Sequence, residues 1–126
     1  MHAVDTNVLV RLITRDDPKQ PAAAESFVSA GAWVGHLVLA EMTWVLRTVY
    51  ALGPTAIAAA VEVLLDHQRL TIQDPEVVAA ALDHYRDDPR MSFTDCLVLE
   101  IARKAGHLPL GTFDRQLARL DGAQKL

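Results

Sequence analysis

Four short apolar stretches, at residues 2–5, 32–35, 70–72 and 107–111, each lead into a longer segment of helical periodicity. That alternation limits what the chain can become more than any other feature. Strands joined through helical connections lie parallel, and their sheet is covered by helices. Strands of that kind are short and continuously apolar rather than alternating, as these are. The helical segments are 7–14, 21–30, 37–51, 55–67, 76–86, 92–105 and a short last one at 114–120. Their limits carry ordinary signals: Asp16-Asp17-Pro18 and Gly53-Pro54 as stops, Pro21 in a first turn, Thr55 as an N-cap, and Gly31 and Gly106 as terminators. The pattern predicts an α/β fold with a small parallel sheet. Helix exceeds strand, so a mainly helical domain is the alternative.

With 126 residues the chain has room for one domain, 1–126. Its longest uninterrupted apolar runs, at 56–61 and 77–82, fall far short of the roughly 20 residues needed to cross a bilayer. No membrane association is expected. A carboxylate at Asp5 comes too early for a secretory signal, and the single cysteine, Cys96, cannot form an internal disulfide. Both point to a reducing cytoplasm. Sixteen acids against twelve bases argue at first against a phosphate-rich partner. If four of those acids hold cations, the remaining acids and bases are equal in number, and bound divalent ions reverse the local sign.

Most carboxylates have ordinary explanations: Asp16, Asp17, Asp87 and Asp88 in loops, and Glu25, Glu62, Asp66, Asp83 and Glu100 on solvated helix faces. Four do not. Asp5 closes the first apolar stretch and Asp114 follows the last, at the carboxyl ends of strands where open α/β sheets place their sites. Either is equally well explained as a helix N-cap. Asp95 in Ser92-Phe93-Thr94-Asp95 fits a capping box reaching back to the Ser92 N–H. Glu41 lies three or four residues from Leu37, Val38, Trp44 and Val45, a carboxylate within an apolar stripe, unless it snorkels at the stripe's edge. In a doubly wound sheet all four come near one edge. Carboxylates so gathered resist ionising together, and a divalent cation with hard oxygen ligands removes the conflict.

Val4-Asp5-Thr6-Asn7-Val8-Leu9-Val10, Ala40-Glu41-Met42-Thr43-Trp44, Phe93-Thr94-Asp95-Cys96-Leu97 and Gly111-Thr112-Phe113-Asp114 together resemble a PIN domain. The likeness is strongest to the small VapC-type ribonuclease toxins of toxin–antitoxin pairs, and it covers essentially the whole chain. It implies a three-layer α/β/α sandwich with a small, mostly parallel central sheet, and Mg2+- or Mn2+-dependent endonucleolytic cleavage of RNA by metal-activated water. Carried over by position, Asp5 and Asp95 would be the main metal ligands, with Glu41 and Asp114 completing the quartet. Thr112 would hold a ligand or water, and Thr6 and Asn7 would support the first motif. One or two ions would bind per site. Many relatives carry a further acid near the third or fourth motif, where this chain has Ser92 and Arg115. The resemblance also implies a homodimer and a small cognate antitoxin as partner.

Arg11 and Arg15, one helical turn apart after Asp5, can steer an RNA backbone or serve as solvated face charges. The five histidines lack metal-ligand spacing, and Cys96 reads as a small core residue. Rival readings are a metal-dependent phosphatase-like hydrolase, a receiver-like domain and a non-catalytic PIN-like binding module. Thr6-Asn7 after Asp5 lacks the second Asp a phosphatase motif would carry. A receiver's paired acids and late lysine are also missing.

Overall fold

The computed structural model describes residues 1–126. Its order is β1 (His2–Ala3), α1 (Thr6–Thr14), α2 (Gln20–Val28), β2 (Ala32–Val34), α3 (His36–Thr48), α4 (Pro54–Asp66), β3 (Leu70–Ile72), α5 (Pro75–Asp87), α6 (Phe93–Ala105), β4 (Leu110–Thr112), a single 3₁₀ turn (Leu117–Arg119) and β5 (Ala123–Lys125). Every strand pair is parallel, as the strand–helix alternation requires. The fold class is α/β. The chain forms two compact units, Met1–Pro75 and Glu76–Leu126.

The first unit carries a three-stranded sheet in the order β1-β2-β3, with His2 opposite Ala32 and Ala32 opposite Leu70. Its core is Leu9 and Val10 of α1, Val28 of α2, Leu39, Met42 and Leu46 of α3, and Ile57, Val61 and Leu64 of α4. Helix α1 packs on both α2 and α3. It starts where the Asp5 carboxylate accepts from the Val8 N–H at 3.3 Å, and it stops at Arg15, whose N–H returns to the Arg11 carbonyl. Gly35 closes β2 beneath the Trp33 indole. A Cβ there would lie 3.0 Å from the ring, so the strand-to-helix corner accepts only glycine without displacement.

The second unit pairs α5 and α6 with a two-stranded sheet, in which Leu110 faces Ala123 and Thr112 faces Lys125. Val78, Ala81, Leu82 and Tyr85 of α5 are buried, as are Phe93, Cys96, Leu97 and Leu99 of α6. Tyr85 and Phe93 meet edge to face, with centroids 6.0 Å apart. Gly106 ends α6 in the left-handed conformation expected of it.

Several expected elements are corrected. The buried strand at 2–5 is two paired residues, both exposed, because Asp5 is taken for capping and only Val4 goes inside. Helix α4 starts one residue earlier than Thr55. Gly53 takes the N-cap position and Pro54 the first helical position, where a missing N–H costs nothing. The last strand runs from Leu110, since Pro109 has no N–H for a ladder. The helix expected at 114–120 is one 3₁₀ turn, and the chain then adds β5.

Candidate active site

The first unit contains two of the four carboxylates singled out in the sequence. Asp5 bridges β1 and α1. One oxygen, Oδ1, is engaged by the Val8 N–H, and Oδ2 has no partner within the unit. Both the N-cap reading and an open coordination position are therefore compatible with this geometry. Glu41 is exposed on α3 and forms no hydrogen bond or ion pair within the unit. Its apolar stripe is corrected. Leu37 is 79% exposed and Trp44 55%, while Leu39, Met42, Thr43 and Leu46 face inward. The carboxylate thus shares an outward face with apolar neighbours and bears no burial cost.

Thr6 is buried at the first turn of α1. Asn7 is exposed and borders a cleft of about 250 Å3 between α1 and α2, with Val8, Arg11, Gln20 and Phe27 among its lining. Arg11 is tied to its own unit. Its guanidinium donates to the Tyr50 hydroxyl at 2.9 Å, to Asp16 at 3.4 Å and to the Gln20 side-chain oxygen. Arg15 is paired with Glu25 at 2.6 Å. The Tyr50 and Thr14 hydroxyls both donate to Asp16, and Tyr50 does most to hold that carboxyl below its usual range.

The second unit contains the other two. Ser92 Oγ accepts from the Asp95 N–H at 3.0 Å, which is half of the expected capping box. The reciprocal half is absent. The half-buried Asp95 carboxylate accepts no hydrogen bond and forms no ion pair within its unit. Asp114 follows β4, and its Oδ1 accepts from the Gln116 and Leu117 N–H groups at 2.8 and 3.0 Å. Its own N–H donates to Thr112 Oγ1 at 3.0 Å, so the threonine orients the carboxylate-bearing residue directly. Cys96, beside Asp95, is inert. Burial, with the Asp95 charge next, pushes its thiol up to about 12.

Within neither unit do three or more His, Cys, Asp or Glu side chains gather as a metal site. Asp5 and Glu41 in the first unit, and Asp95, Asp114 and Thr112 in the second, each offer oxygen, the donor type hard cations take, and none of the four carboxylates has both oxygens committed within its unit. A second carboxylate departs from the sequence expectation. Glu100, expected on a solvated face, is buried between His84 and Arg103. The available signals were Cys96 and Leu97 one turn before it and Arg103 one turn after.

No curated protein matches the sequence. Among solved structures, the Mycobacterium tuberculosis toxin VapC20, described as cleaving the sarcin-ricin loop, is similar at 19% identity and a TM-score of 0.45, over 98% of each chain. The sequence matches the PIN domain family over residues 3–123. With that match running from the first strand into the last, the chain belongs to the PIN domain family.

Proposed function

We propose that this PIN domain is a divalent-cation-dependent endoribonuclease and the toxin of a toxin–antitoxin pair. In this reading Asp5, Glu41, Asp95 and Asp114 hold one or two Mg2+ or Mn2+ ions. The observation that carries it is the Asp95 side chain. A half-buried carboxylate is costly without a compensating partner, and this one has none in its unit although a capping box stood ready to supply one. Membership of the PIN family and the oxygen-only donor set support the same reading.

When bound, such a cation supplies an acidified water and charge neutralisation at a phosphodiester. The chain's own residues provide the frame for that chemistry. Asp5 and Asp114 each spend one oxygen on backbone N–H groups, which fixes the direction of the other. Thr112 holds Asp114 by its N–H and keeps a hydroxyl proton to donate. Thr6 and Asn7 start the helix that Asp5 caps. Arg15, half exposed in its pair with Glu25, can exchange that partner for a backbone phosphate, and Arg11 on the same helix lines the approach. Attack by water on phosphorus with departure of the 3′ oxygen, which takes up a proton, would leave 5′-phosphate and 3′-hydroxyl ends.

Incubating a pool of folded cellular RNA with the protein and Mn2+ tests the proposal. Cleavage that EDTA and Asp95→Asn both abolish, with 5′-phosphate ends, is the expected result. Cleavage indifferent to both, or 2′,3′-cyclic phosphate ends, refutes it. For the toxin role, a small DNA-binding protein encoded in the neighbouring reading frame should bind this chain and suppress cleavage. Its failure to do either refutes the pairing. A homodimer formed through the first unit's helices belongs to the same proposal, supported by Leu37, Trp44 and Val63, each more than half exposed. A monomer by light scattering at micromolar concentration refutes the dimer.

A further inference from the structure

Glu100 sits in the middle of α6 with 7% of its surface exposed. Burial of a carboxylate demands partners. It has two: the His84 imidazole from α5, at 3.2 Å, and Arg103 Nε, one turn along α6, at 3.1 Å. Arg103 does not end there. Its Nη2 donates to the Asp121 backbone carbonyl at 2.5 Å, and Nη1 stands 4.0 Å from the Asp121 carboxylate. The next residue, Gly122, has φ +94°, and a Cβ there would come within 3.0 and 3.2 Å of the two terminal guanidinium nitrogens. The turn leading into β5 is thus fitted closely against the Arg103 guanidinium, with Leu108 Cδ1 next at 3.3 Å, in a backbone conformation that glycine alone adopts freely.

That turn sets the register of the two-stranded sheet. The Leu110 N–H donates to the Gly122 carbonyl at 2.8 Å, and at the other end the Leu126 N–H donates to the Thr112 carbonyl at 2.9 Å. Thr112 is the last residue of β4, and its hydroxyl receives the Asp114 N–H. An unbroken series of contacts therefore runs from Glu100 through Arg103, Asp121 and Gly122 to β5, β4, Thr112 and Asp114.

We propose that Arg103, aimed by the buried Glu100, is a positioning residue for Asp114. Its planar fork holds a helix carboxylate with Nε while its terminal nitrogens hold a turn. Lysine, with a single nitrogen, cannot span both in that geometry. The inference rests on the reading of Asp114 as a metal ligand.

The test compares the wild-type chain with Arg103→Lys, Arg103→Met, the double variant Glu100→Leu/Arg103→Met, and Lys104→Met. The last removes a cation one residue along, paired with Glu76. The readouts are amide exchange without metal, thermal stability and Mn2+ affinity. In Arg103→Met the Leu110 and Leu126 amides should exchange at least about 10-fold faster while the α6 amides hold. The Mn2+ dissociation constant should rise about 10-fold. Arg103→Lys should fall between, and Lys104→Met should match wild type. The double variant removes the buried charge as well as its partner, so it should regain thermal stability yet keep both defects. If it regains Mn2+ affinity together with stability, or if Arg103→Met leaves the Leu110 and Leu126 amides unchanged, the positioning role is overturned. A wild-type chain that takes up no Mn2+ sinks the metal reading instead, and the exchange pattern still decides whether Arg103 sets the strand pair.

Discussion

Replacing Asp5 by asparagine separates two tasks that a single carboxylate can perform. As an N-cap, Asp5 gives one hydrogen bond, from the Val8 N–H, at a long 3.3 Å. Loss of an N-cap acceptor to alanine costs about 1 kcal/mol. Asparagine keeps an oxygen in the same place and forfeits only the favourable charge at the helix start, about 0.3–1 kcal/mol at an exposed position. For a chain of this length, each kcal/mol moves the melting temperature by about 3–6 °C. Metal-free Asp5→Asn should therefore melt within a few degrees of wild type, with Asp5→Ala lower. A cation at 100 times its dissociation constant stabilises the folded form by about 2.7 kcal/mol. Melting curves with and without Mn2+ should show that increment in wild type and in neither variant, since asparagine is a far poorer ligand for a hard cation. An Asp5→Asn protein that keeps the full increment and cleaves RNA would refute the assignment and leave Asp5 a helix cap.

Three further outcomes follow from individual contacts. Ser92→Ala removes the acceptor for the Asp95 N–H and should cost about 1 kcal/mol in urea unfolding, while Ser92→Asp should recover most of it. Because the Cys96 thiol is raised to about 12, the native protein at pH 8 should resist iodoacetamide and react only once unfolded. The folded state holds that proton after the unfolded state begins to release it near pH 9, so the stability tied to it is complete below pH 9 and is lost as pH rises beyond. Asp16 behaves in the opposite sense. Its carboxyl is held low mainly by the Tyr50 hydroxyl, so its stabilising contribution is complete above the ordinary carboxylate range and lost as pH falls through it. Urea midpoints between pH 6 and 3 should decline less steeply in Tyr50→Phe.

Local signals were legible wherever one residue answers one backbone need. Asp5 and Ser92 cap helices, Gly106 ends one, and the strand–helix alternation gives parallel pairing. Faces were harder to read. Helix α3 is apolar on nearly every side, so its periodicity offers two stripes. One stripe holds Leu37, Glu41 and Trp44 and is the outward one, whereas the buried one holds Leu39, Met42 and Leu46. Glu100 shows the complementary difficulty. A carboxylate followed by Arg103 and Lys104 resembles a solvated salt-bridging face and outweighs the apolar signal of Cys96 and Leu97, whereas in the fold His84 and Arg103 enclose it. Of the candidate site, residue types and motif order were legible. The partners of each carboxylate oxygen were not, because they depend on which N–H groups the local turn leaves open. Asp95 is the clearest case, since the capping box forms from the serine side alone.

The chain's two tryptophans, Trp33 and Trp44, are 41% and 55% exposed, and both belong to the first unit. Native emission should consequently already be red-shifted, as indoles bathed in water are, and denaturant should change its wavelength little. Any companion that settles on the outward side of α3 would instead drive the spectrum toward the blue. The protein carries a built-in optical reporter of occupancy rather than of unfolding.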